Sequence, residues 1–209
     1  MASRLRILLL LATLLLPTML AAQSDDLLAR IWEGVQQAQN HTQSACGSVT
    51  ETRTSALMTR PMILHGKFCA QGMTRFMLEY SEPAVMRIRY AGDTLNITAG
   101  GHTEIMEIGD SVRRAQSSFS RANSIQTLKK NFTITAEDDG RAFVLRFVPR
   151  SQAFRGRLNL LMVKLGKRDF LPQLIEVDGK SGVNSVFSID VTSTNRKISP
   201  ETFQVETRP

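Results

Sequence analysis

The side chains best able to do chemistry are scarce in this chain: three histidines, His41, His65 and His102, and two cysteines, Cys46 and Cys69. Acid–base catalysis needs a positioned proton donor and acceptor, and a zinc or iron site needs ligands at short, regular spacing. None of the histidines has a partner at ligand spacing, and the cysteines form neither a Cys-x-x-Cys redox pair nor half of a zinc site. Gly100-Gly101 makes a turn without the strand-to-helix fingerprint of a nucleotide site, and no Walker-type lysine follows a glycine-rich loop. The reading is therefore of a protein with no metal, no cofactor and no catalytic group. What remains for the cysteines is each other. They flank the turn-prone Thr59-Arg60-Pro61, in segments read below as neighbouring antiparallel strands. In an oxidising compartment they can form a cross-strand bridge worth about 3 kcal/mol in the chain-entropy account. Two unpaired buried thiols are the other reading, and strand register decides between them.

One further motif invites a catalytic reading. Gly109-Asp110-Ser111 resembles the nucleophile block of the Gly-Asp-Ser hydrolases, which activate their serine with a histidine far downstream. The last histidine of this chain is His102, so the serine has no base in the required order; capping of a following helix by Asp110 or Ser111 is the stronger reading. Asn40, Asn96 and Asn131 each begin an Asn-x-Thr sequon, which marks glycosylation in a eukaryotic secreted protein and nothing in a bacterial one.

Stepping outward to the segments that would hold these residues, the first is a leader. Arg4 and Arg6 precede an apolar run from Ile7 to Leu16 that Pro17 interrupts. Small residues at Ala21-Ala22 lie just before Gln23. The run is shorter than the roughly 20 apolar residues a spanning helix needs, so residues 1–22 read as a cleaved signal peptide and residues 23–209 as one domain outside the cytoplasm. The formal net charge of +7 suits anionic membrane surfaces or acidic partners. The basic residues are scattered, aromatic residues are few, and no nucleic-acid motif accompanies them, so no nucleic-acid partner is expected.

After the leader, Ser24 can cap a helix from about Asp25 to Asn40, with Leu27, Leu28, Ile31, Trp32, Val35 and Ala38 on one face and Asp25 and Asp26 complementing its dipole. From Ser44 onward the period changes to two. Phe76, Leu78 and Tyr80 alternate with Arg75, Met77 and Glu79, Met86, Ile88 and Tyr90 alternate with Arg87 and Arg89, and Leu95 and Ile97 continue the series before a segment at Glu104 to Ile108. A polar stretch from Asp110 to Lys130 predicts one or two short helices. Strands resume at Phe132–Thr135, Phe143–Val148, Leu158–Leu165, Leu174–Val177 and Val186–Val191, with a short run around Phe203 and Val205. Leu158 to Val163 is apolar on both faces, which predicts a central strand covered on both sides.

The motifs Arg75-Phe76-Met77-Leu78-Glu79-Tyr80-Ser81-Glu82-Pro83, Ala91-Gly92-Asp93-Thr94-Leu95, Leu171-Pro172-Gln173-Leu174-Ile175 and Asn195 to Ile198 with Phe203 occur in an order that resembles the bacterial outer-membrane lipoprotein carrier family, the periplasmic LolA-type proteins. The resemblance spans most of residues 23–209. It implies a mainly β fold: an unclosed antiparallel β-barrel of about eleven strands with a helical lid over its concave face. Where the family has an Arg-Pro pair before the Phe strand, this chain has Gln71-Gly72.

What the resemblance implies for function is a periplasmic carrier that takes the acyl chains of a lipoprotein or other lipid into an apolar cavity and ferries it towards the outer membrane. Its partners would be the cargo, an inner-membrane donor complex and an outer-membrane acceptor, with only transient membrane contact by a monomer. A lipid-sensing or regulatory module of the same fold is the alternative. The ligand surface is expected to include Phe76, Leu78, Tyr80, Met86, Ile88, Tyr90, Leu95, Ile97, Phe143, Leu145, Phe147, Leu160 and Met162. Alternation shows only that such a face is buried, and an ordinary filled core gives the same pattern. The lid is expected at Leu28, Ile31 and Trp32 of the first helix and at Phe119, Ile125 and Leu128 of the insertion.

Overall fold

In the computed structural model, residues 25–72, 74–107 and 125–206 are described. The leader at residues 1–22, the Gly109-Asp110-Ser111 block and Phe119 lie outside the described residues. The first helix, α1, covers residues 25–41. Its apolar residues recur at helical spacing, so Leu28, Ile31 and Trp32 are buried while Arg30 and Glu33 face solvent. No described helix is long and apolar enough to cross a membrane.

The strands follow as β1 (Ser44–Ser55), β2 (Met62–Gln71), β3 (Arg75–Glu82), β4 (Met86–Ala91), β5 (Thr94–Ala99) and β6 (His102–Glu107). Helix α2 (Ile125–Asn131) leads into β7 (Phe132–Asp138) and β8 (Ala142–Pro149), and the short helix α3 (Gln152–Arg155) precedes β9 (Leu158–Gly166), β10 (Pro172–Gly179) and β11 (Val183–Thr194). All eleven strands form one antiparallel sheet in the order β6-β5-β4-β3-β2-β1-β11-β10-β9-β8-β7. The sheet does not close, because β6 and β7 are its two edges. The fold is thus the unclosed, mainly β barrel with helices that the sequence led us to expect. Neighbours in sequence pair as hairpins from β1 to β6 and from β7 to β11, and the two runs join where the first strand lies against the last. That seam is fixed by Asn195, in the left-handed region at φ 57°, just past the end of β11. Its side chain accepts a hydrogen bond from Gln43 N at 2.8 Å and donates one to His41 O at 2.8 Å, which ties the end of α1 to the end of the chain.

Alternation sends one set of side chains to the concave face and the other outward. Phe76, Tyr90 and Leu95 are in register with one another across β3, β4 and β5, and Leu78, Ile88 and Ile97 form the next row. On the outer face of β3 and β4, Glu79 pairs with Arg87 at 2.6 Å and with Lys67 of β2 at 3.8 Å. The hydrogen bond from Arg87, ahead of the desolvation that opposes it, holds the Glu79 carboxyl below the usual glutamate range. Cys46 and Cys69 are direct register partners on β1 and β2, with Cα atoms 4.2 Å apart, and are joined by a disulfide.

Two sequence expectations are corrected. The run around Phe203 and Val205 is not a strand; Pro200–Phe203 forms a 3-10 helix that packs on β3 and β4 and buries Phe203, since Pro200 starts a turn of helix more readily than it joins a ladder. Strand β9 is not central. It lies third from the β7 edge and is only half-buried until Leu165, with Leu161, Val163 and Leu165 facing inward. Leu160 and Met162 instead share a face with Asp178 and Glu176 of β10.

A candidate lipid-binding cavity

The inward side chains separate into two apolar clusters. In one, Leu28, Ile31 and Trp32 of α1 and Leu128 of α2 cover Phe132, Leu145, Phe147 and Leu165 of β7, β8 and β9, with Ile125 packed at the margin. Trp32 Nε1 is buried without a hydrogen-bond partner, so this side chain is held by apolar packing alone. In the other, Val49, Leu64, Leu78 and Tyr80 pack with Phe76, Met86, Ile88, Phe187 and Ile189. Among the described residues, α1 and α2 sit on the first cluster and not on the second.

Beside the second cluster lies a cavity of about 440 Å³. It is lined by Ala45 and Val49 of β1, Phe68 and Ala70 of β2, Phe76 and Leu78 of β3, Leu171, Pro172 and Ile175 around the start of β10, and Phe187, Ile189 and Val191 of β11. Every one of these residues is apolar. The cavity straddles the β1–β11 seam, where two small residues, Ala45 of β1 and Ala70 of β2, stand opposite each other in its lining.

Beyond Val49 and Phe187 the apolar surface gives way to a polar group. Glu51, in register with Phe187 and Leu64, is 1% exposed. It accepts hydrogen bonds from Tyr80 Oη at 2.5 Å and Arg53 Nε at 2.9 Å, and Arg53 closes a second contact at 2.8 Å. Burial, and then the hydrogen bond to Glu51, push the Tyr80 hydroxyl well above the ordinary tyrosine value, so it stays a donor. This cluster bounds one side of the cavity and was not anticipated from the sequence, because a Glu and an Arg at inward positions read as solvent-facing.

A contact links the helix-covered cluster to the cavity wall. Helix α1 presses its backbone at Gly34 onto the ring of Phe170, so closely that a Cβ at that position would run into the ring. Phe170 stacks on Phe143 at 5.6 Å and directly precedes the wall residues Leu171 and Pro172.

Of the residues expected at the ligand surface, Phe76 and Leu78 line the cavity, and Tyr80, Met86 and Ile88 pack beside it. Tyr90, Leu95 and Ile97 continue the same inward face towards the β6 edge. Phe143, Leu145 and Phe147 lie in or against the helix-covered cluster, away from the cavity, and Leu160 and Met162 face outward. The walls supplied by β1, β10 and β11 were missed. Phe187, Ile189 and Val191 do alternate with polar residues, a signal that could have identified β11.

No protein-family model and no curated protein matches the chain. Among solved structures it is similar to an uncharacterised conserved protein from Thermus thermophilus, at 11% identity and a TM-score of 0.53, covering 85% of this chain and 93% of that one. It is also similar to the lipoprotein LppX of Mycobacterium tuberculosis, at 12% identity and a TM-score of 0.47 over 84% and 98% of the two chains. A LolA superfamily protein from Nitrosomonas europaea aligns at 13% identity and a TM-score of 0.44 over 85% and 97%. The chain therefore shares its fold with the Thermus protein.

Proposed function

We propose that this chain is a periplasmic carrier that holds acyl chains of a lipoprotein or other lipid in the cavity at the β1–β11 seam and moves them towards the outer membrane. The observation that carries the reading is the cavity: about 440 Å³ of space with wholly apolar walls, left open beside a packed core. That volume lies within the range of about 300–1,000 Å³ of ligand pockets. Each methylene moved from water into such walls contributes about 0.8 kcal/mol, so an acyl chain gains substantially without any polar clamp. The leader-like residues 1–22 and the carrier-like motif order in the sequence agree with this reading.

The test is uptake of a fluorescent fatty acid by the wild type and by Ala70→Trp, which places an indole in the cavity from a small wall residue. Saturable uptake by the wild type and its loss in the variant, with the fold unchanged by circular dichroism, is the expected result. A folded wild type without saturable uptake overturns the reading.

A further inference from the structure

The alternating strand directions put the β1–β2, β3–β4, β5–β6, β8–β9 and β10–β11 connections at one end of the barrel. The exposed large apolar side chains among the described residues gather there: Leu57 (97% exposed), Ile63 (51%) and Met62 (41%) on the β1–β2 hairpin, Val85 (65%) on the β3–β4 turn and Val148 (48%) near the end of β8. The connections at this end also carry Arg60, Arg150, Arg155, Arg157 and Lys180, all exposed, and contain no acidic residue. The acids that flank them are Glu82, at the end of β3, and Asp178, one residue before the end of β10. The opposite end differs in both respects: no large apolar side chain is exposed there among the described residues, and acids and bases pair, Asp139 with Lys164 at 3.1 Å and Asp138 with Lys167.

We propose that this end of the barrel docks on an anionic lipid surface, with the β1–β2 hairpin tip entering the interface. Water-exposed aliphatic side chains are stabilised when they enter the headgroup region, and basic residues beside them are attracted to anionic headgroups. A lipid surface suits the patch better than a protein partner does. The patch is aliphatic and basic with no acid in its connections, which matches the apolar boundary and negative charge of an anionic headgroup layer. Met62 stands opposite Arg53 in register, so docking brings the polar margin of the cavity, with Glu51 and Tyr80, towards the membrane. The inference adds to the carrier reading the end that meets the membrane, and docking itself does not depend on an occupied cavity.

The test is co-sedimentation of the chain from Gln23 onward, which contains every described element, with protein-free vesicles of phosphatidylcholine with and without phosphatidylglycerol. The wild type is expected to sediment with the anionic vesicles and to be released by salt. Leu57→Asp should lower the partition coefficient by about tenfold or more, and Arg155→Gln by about fivefold, both without changing fatty-acid uptake. Leu57 is almost fully exposed, so its replacement does not threaten the fold. Failure of the wild type to bind anionic vesicles, or binding by Leu57→Asp equal to wild type, overturns docking. Vesicle binding with no fatty-acid uptake by the wild type overturns the carrier reading alone.

Discussion

Trp32→Ala tests whether α1 is a movable lid or fixed core. Trp32 is 9% exposed and packs with Leu28, Ile31, Leu128 and Phe147. Its indole nitrogen has no partner, so truncation removes apolar contacts and leaves no stranded polar atom behind. A buried Trp→Ala change costs about 3–5 kcal/mol, a large share of the roughly 5–15 kcal/mol that holds a domain together. If α1 undocks as a unit, a loss of about 3 kcal/mol raises the undocked fraction by roughly a hundredfold. A ligand that needs the inward face under the helix, at Phe143, Leu145 and Phe147, then binds more tightly by a similar factor. A ligand confined to the seam cavity does not. Leu145→Ala, in the same cluster but on the sheet, is the control for mere loss of stability. The assay is a urea unfolding curve for each variant beside a fatty-acid titration. In the wild type, the fluorescence of this sole tryptophan should shift to the red on ligand addition if the helix lifts. Loss of stability in Trp32→Ala with uptake equal to wild type, and no wild-type shift, refutes the lid and makes Trp32 plain core.

Tyr80→Phe removes a donor from a carboxylate that is 1% exposed and should cost about 1.5–3 kcal/mol by chemical denaturation; an unchanged urea midpoint would show that Glu51 finds another donor. Reduction of Cys46–Cys69 reopens a loop with a sequence separation of 23 and should lower stability by about 3 kcal/mol, read as a lower urea midpoint with reductant present. Since β1 stays paired to both β2 and β11, the circular dichroism spectrum in the absence of urea should persist; its collapse would contradict the pairing.

Much of the sheet was legible because its hairpins are local. Phe76, Leu78 and Tyr80, then Met86, Ile88 and Tyr90, mark strands whose partners lie a few residues away, and Leu28, Ile31 and Trp32 mark a helix face whatever it packs against. The site was less legible for two reasons. Its walls meet across a pairing between the first strand and the last, which no local period encodes. Strand β1 also has weak alternation: Ala45, Gly47, Glu51 and Arg53 hold inward positions that an apolar pattern would not select. Leu160 and Met162 show the converse error. They are apolar but face outward, because inward positions on β9 are taken by Leu161 and Val163.

The seam between β1 and β11 also sets an order of assembly. Ser44 Oγ donates to Arg196 O across 152 residues of chain, whereas β1 to β6 can pair hairpin by hairpin as they are made. Such a distant pairing carries the largest loop-closure cost in the sheet and belongs to the last stage of folding. Until then β1 presents an open edge flanked by apolar side chains, the kind of surface on which nascent chains misassociate. The same step that hides this edge creates the cavity, because β1, β2 and β3 supply one wall and β10 and β11 the other. An immature chain therefore lacks the cavity, which arrives only with the completed sheet.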